Sequence, residues 1–138
     1  MTKPMEPDEI NEGDRFVLCE LISGLRTFAD RSYQERVWVR GEGLQVDAYT
    51  ESLVDILEDR RLFEFAGPLG RYYGLSDDAI DAIRLFGSEL DAFDKQLTIA
   101  EKKEDNLIIS RPEWDRIRSL AAAACEKCGA FFGEHCDE

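Results

Sequence analysis

DRFVLCELISGLRTFA, residues 14–29, decides the class of fold. Val17, Leu21, Leu25 and Phe28 recur every three or four positions, and Leu18 and Ile22 widen the apolar stripe. That period belongs to a helix, since a strand would alternate at every second residue. The spacing predicts a helix with Asp14 as its N-cap. Gly24 in the interior costs a helix up to ~1 kcal/mol against alanine, so a close-packed neighbour is expected there.

The same period returns further along. Ser76 reads as an N-cap, Asp77 and Asp78 suit the positive end of a helix dipole, and Ile80, Ile83, Leu90, Phe93 and Leu97 continue the stripe. Ser110-Arg111-Pro112-Glu113 reads as a capping box with proline in the first turn. It opens a last helix through Trp114, Ile117, Ala121 and Ala124 that is expected to end at Gly129. Asp47–Asp59 reads as a helix with Leu53, Val54 and Leu57 inward. The period drops to two at 36–40 (Arg-Val-Trp-Val-Arg) and 62–65 (Leu-Phe-Glu-Phe), which predicts a short two-stranded β-ribbon. Residues 66–76 are turn-rich, and 98–109, with the run Glu101-Lys102-Lys103-Glu104-Asp105, read as an exposed link. The expected fold is mainly α, a compact bundle of about four helices with that ribbon. The expected organisation is a loose leader (1–13), a single helical domain (14–129) and a C-terminal tail (130–138).

Composition bounds the function. Thirty Asp and Glu stand against 17 Lys and Arg and one His, a formal net charge of −13 on 138 residues. The excess is spread along the chain: residues 1–31 hold seven acids and four bases, and residues 98–138 hold nine and six. Such a surface repels nucleic acid and anionic membranes and attracts basic partners over a Debye length of about 8–10 Å. The longest apolar run, Leu120–Cys125, is far too short to span a bilayer. Met1–Glu12 lacks the apolar segment of a signal peptide, so the expected compartment is the cytoplasm. The four cysteines are there expected to be thiols or metal ligands.

Within this acidity one pattern stands out. Asp47, Glu51, Asp55 and Asp59 lie four residues apart and stack on one helical face, with Glu58 beside them. Residues 41–59 contain six acids and no base. Like charges at this spacing cost a helix ~0.2–0.5 kcal/mol per pair, so the stripe does nothing for helix stability. It is the surface a cationic ligand requires, the competing reading being a solvated face relieved by Arg60, Arg61 or a neighbouring helix. Trp38 with its flanking arginines, and Tyr72 and Tyr73 in the glycine-rich loop, are the candidate aromatic anchors of a contact.

Other chemistries fit less well. The stripe lacks the short alternating spacing and central glycine of a calcium loop. A single histidine rules out paired Glu-x-x-His metal centres. Acid pairs of the kind helical nucleotide pyrophosphohydrolases use for magnesium occur at Glu6/Glu9, Glu9/Glu12, Asp55/Glu58, Asp78/Asp81 and Asp91/Asp94, as chance would place them in so acidic a chain. Cys125-Glu-Lys-Cys128-Gly129 resembles a zinc knuckle, which His135 and Cys136 would have to complete across a cramped spacer. The glycines at 67, 70 and 74 lack the Lys-Ser/Thr ending of a phosphate loop. Asp77, Asp78 and Asp81 would repel DNA from the helix-turn-helix-like entry at Tyr73–Ser76. The expectation is therefore a non-enzymatic, cytoplasmic protein-binding module without cofactor. Its partner would be basic, in the manner of an immunity protein that neutralises a bacterial toxin or nuclease. A magnesium-dependent nucleotide hydrolase and a zinc-stabilised adaptor are the alternatives.

Overall fold

Three long amphipathic stripes set the architecture of the chain, whose computed structural model describes residues 12–43 and 47–132. They form α1 (Glu12–Ala29), α6 (Asp77–Lys95) and α9 (Pro112–Phe132). Between them lie short helices: α2 (Arg31–Tyr33), which runs into a π-helical turn π1 (Gln34–Val39); α3 (Tyr49–Val54), which runs into π2 (Asp55–Asp59); α4 (Leu62–Phe65); and α5 (Pro68–Tyr72). Two more, α7 (Ile99–Lys102) and α8 (Asp105–Ile109), join α6 to α9. Among the described residues all regular structure is helical.

Helix α9 packs along both α1 and α6. The buried residues of the three form one core: Leu18, Leu21, Leu25 and Phe28 from α1, Ile83, Phe86 and Leu90 from α6, and Trp114, Ile117, Ala121 and Ala124 from α9. Ala121 and Ala124 of α9 are buried in this core, and aromatic rings cluster around Trp114 near the start of α9. There Trp114, fully buried, meets Phe93 at 5.4 Å, Tyr49 at 5.8 Å, Trp38 at 6.0 Å and Phe28 at 6.1 Å between ring centroids. Its indole N–H donates to the side-chain oxygen of Gln34 at 2.8 Å. The amide nitrogen of Gln34 donates to the carbonyls of Thr27 and Phe28, in the last turn of α1, at 2.9 and 3.0 Å. A buried polar side chain is thus satisfied while it closes carbonyls that a helix end leaves open.

Several sequence expectations are corrected. No ribbon forms, because 34–39 is π-helical and 62–65 is α4. Val37 and Trp38 are buried together while Val39 is exposed, an arrangement that a strand's alternation forbids. The link 98–109 holds two helices that bury Ile108 and Ile109, and the capping box forms there, between Thr98 and Glu101. Ser110 ends α8 and donates its hydroxyl to the Asn106 carbonyl, so it does not cap α9. Asp14 lies inside α1, which begins at Glu12 within the expected leader, and α9 runs past Gly129 into the expected tail. In 49–59 the buried residues are Tyr49, Ser52 and Ile56; Leu53 and Leu57 pack against the core as expected, and Val54 is exposed. Cys125 and Cys128 are thiols, whereas Cys19 is disulfide-bonded. The Ser76 cap forms as read: its hydroxyl oxygen accepts from the Ala79 N–H.

Gly70 marks the tightest backbone contact, since a Cβ there would overlap the Phe65 carbonyl oxygen and press on Ile80. Neither a carbonyl nor a buried isoleucine can yield cheaply. Gly70→Ala is expected to cost about 2 kcal/mol or more. Urea denaturation checks this: the midpoint falls and the slope is unchanged.

Candidate functional site

The acidic stripe faces a cleft. Segment 47–59 leans against α1, and the space between them is about 850 Å³. Asp47, Glu51, Asp55 and Asp59 line one wall, and Glu20, Ser23, Gly24 and Thr27 line the other. The four acids spaced in the sequence are therefore brought together, with Glu20 added from across the gap. Glu58 is exposed and is not part of the lining. The charge of the wall is reinforced from a third direction. Asp105, at the start of α8, accepts the Tyr49 N–H; its carboxyl is raised above the usual range, first by burial and then by the charges of Asp47, Glu51 and Glu104.

Each member of the stripe sits in its own environment. Asp47 is held by neutral donors: Tyr33 Oη at 2.7 Å, Trp38 Nε1 at 3.1 Å, Ser52 Oγ at 2.9 Å to both oxygens, and the Ala48 N–H at 2.9 Å. This carboxylate locks α2, π1 and α3 together at the head of the cleft, a structural task. Asp55 is paired with Arg60. The Arg60 guanidinium crosses to α1, where it meets the Glu20 carboxylate at 3.1 Å and also donates to the Glu20 carbonyl. Glu51, Glu58 and Asp59 are exposed and have no ion pair among the described residues. The cleft thus has a satisfied head, an internally neutralised middle and an uncompensated rim.

Gly24 makes the crossing possible. A Cβ at this position would stand 2.9 Å from Arg60 Cδ and 3.3 Å from Ile56 Cδ1. The close neighbour expected from a glycine inside α1 is therefore Arg60, the residue that ends π2. The π-helical turn contributes as well: the Arg60 N–H reaches back to the Asp55 carbonyl, five residues earlier, at 2.8 Å. Arg61 follows with φ 58°, in the left-handed region a non-glycine residue rarely adopts.

Of the three aromatic residues expected to anchor a partner, two are core. Trp38 and Tyr73 are 6% and 7% exposed, the first inside the aromatic cluster and the second stacked on Phe65 at 5.6 Å. A strand would have turned Trp38 outward; the π-helix turns it in. Tyr72 is 43% exposed and available. Among the described residues no three His, Cys, Asp or Glu side chains converge to hold a metal. Asp81 pairs with Arg84 and Asp91 with Lys95, while Asp94 accepts from Tyr49 Oη and Lys102. Cys128 is buried in α9, and its thiol is pushed up to about 12, first by burial and then by Cys125, the opposite of what a thiolate ligand needs. Glu6, Glu9, His135 and Cys136 lie outside the described residues.

The Tyr33–Asp47 contact has a pH signature. Burial, then the hydrogen bond to Asp47 and its charge, push the Tyr33 hydroxyl up to about 12. In the unfolded chain it ionises near pH 10. The folded state holds this proton more tightly, so the contribution to stability is complete below pH ~10 and is lost as the pH rises through ~12. Tyr49, buried against Asp94, is raised in the same direction. Denaturation measured from pH 8 to 12 is expected to show stability falling over the last two units. Tyr33→Phe is expected to be less stable at pH 8 and to fall less steeply. No protein-family model, curated protein or solved structure matches the chain.

Proposed function

We propose that the chain is an acidic protein-binding module whose cleft rim engages a basic partner. In this reading it is an immunity-type inhibitor that covers the anion-binding active site of a bacterial toxin or nuclease. One observation carries the proposal: Glu51 and Asp59 stand exposed without an ion pair among the described residues on a cleft whose other stripe acids, Asp47 and Asp55, are already satisfied. Several acids elsewhere on the surface are answered locally, as in Arg84–Asp81, Lys95–Asp91, Arg116–Glu89 and Arg118–Asp115, whereas isolated ones such as Asp78 and Glu126 are exposed and line no acidic cleft. A rim left unanswered suits an external cation.

The mechanism needs no chemistry beyond charge and shape. Carboxylates on a low-dielectric wall focus a negative potential that speeds encounter with a positive surface, toward roughly 10⁸–10⁹ M⁻¹s⁻¹ at low salt. The partner's lysines and arginines, built to hold phosphates, then meet the rim, and the body of the module blocks entry of the anionic substrate. The hydrogen bonds to Asp47 fix α3 against α2 and π1, and Arg60, paired with Asp55 and Glu20, ties segment 47–59 to α1, so little order has to be created on binding.

The test is charge reversal on the rim. Glu51→Lys with Asp59→Lys is expected to weaken capture of a basic partner on the purified chain about 100-fold or more and to abolish inhibition of that partner's activity. Asp78→Lys with Glu126→Lys changes the net charge equally on exposed sites of α6 and α9 and is expected to leave both intact. A rim variant that still binds and inhibits refutes the proposal.

A further inference from the structure

The end of the acidic rim adjoins an apolar groove. Pro68, Leu69 and Tyr72 of α5, with Arg61 and Glu64 at the edge, enclose about 400 Å³. Asp59 and Arg60 line the cleft and Arg61, the next residue, lines the groove, so one peptide bond separates the two features. The left-handed backbone at Arg61 turns the chain between them.

The groove has the features of an anchor pocket. Tyr72 is 43% exposed yet braced from behind: its ring sits edge-on to Tyr73 at 5.3 Å, and Tyr73 stacks on Phe65 in the core. Leu69 packs against the core from the groove floor. Arg61 and Glu64 pair with each other at the edge, so the groove presents no unanswered charge of its own. A rigid, exposed tyrosine beside a small apolar floor is the kind of surface that carries a large share of binding energy in protein contacts.

We infer that this groove receives an apolar or aromatic side chain of the same basic partner whose cations meet Glu51 and Asp59. This rests on the function proposed above. The occupant is then a surface segment in which lysines or arginines flank a hydrophobic residue. Charge complementarity selects it over a second copy of this chain, whose own charge of −13 opposes close approach.

Two synthetic peptides of equal charge test the inference: six lysines around a central glycine, and the same peptide with tryptophan in the centre. In NMR titrations of the full chain, both are expected to shift Glu51 and Asp59, and only the second to shift Leu69 and Tyr72, with about ten-fold tighter binding. Tyr72→Ala, at an exposed site, is expected to remove that ten-fold gain and leave the glycine peptide unaffected. Leu69→Ala is expected to reduce the gain in the same way. If the glycine peptide binds and tryptophan adds nothing, or the gain survives Tyr72→Ala, the groove assignment is overturned while the rim stands. If tryptophan-peptide binding is indifferent to Glu51→Lys with Asp59→Lys, rim and groove do not share a partner and the inference fails. Self-association that Tyr72→Ala abolishes would assign the groove to a second copy and overturn it. If neither peptide binds, rim and groove assignments fall together.

Discussion

The hydrogen bond from Trp114 to Gln34 is the contact on which the arrangement of helices depends. It joins residues 80 positions apart at the centre of the aromatic cluster. Gln34 has no exposed surface, and all its polar capacity that the core can use is committed: one acceptor to the indole, two donors to the end of α1. A buried amide in this position is costly if any partner is missing, by roughly 1–3 kcal/mol. The network therefore admits one relation between α1, π1 and α9. Once π1 is set, Trp38 is set, and its indole N–H fixes Asp47. The head of the cleft is thus an extension of the core, reached through two tryptophans and one glutamine.

This lineage explains why the acids of one stripe have such different roles. Asp47 belongs to the scaffold, Asp55 to the joint between α1 and π2, and Glu51 and Asp59 to the solvent. Equal spacing in the sequence does not mean equal energetics. A carboxylate with several neutral donors is satisfied without any cation, whereas one at an open rim depends on water and salt for its screening. The proposed interface uses the two members of the stripe, Glu51 and Asp59, that intramolecular partners leave uncompensated, and these alternate with the satisfied Asp47 and Asp55.

Much of the fold was legible in the amino-acid pattern because α1, α6 and α9 carry strong apolar stripes and Ser76 has the chemistry of a cap. The π-helical turns were not. At 36–40 the valines repeat every second residue, and nothing in the composition announces that a wider turn brings Val37 and Trp38 inward together. Residues 98–109 contain a capping-box pair, Thr98 and Glu101, masked by the charged run that surrounds it. In the site, the four-residue spacing of the acids was legible and the glycine in α1 hinted at a close neighbour. The identity of that neighbour was not. Arg60 and Glu20 are 40 residues apart, and the approach of Asp105 depends on α8, so neither relation leaves a local trace.

Gly24 gives the cleft an unusual dependence on an absent group. Replacing a helix-weakening residue in the interior of α1 would ordinarily strengthen the helix by something under ~1 kcal/mol. Here a methyl group would fall where the arginine stem passes. Local propensity and tertiary fit therefore pull in opposite directions at one position, and the wall-to-wall distance of the cleft is set by the hydrogen atom that stands in for a side chain.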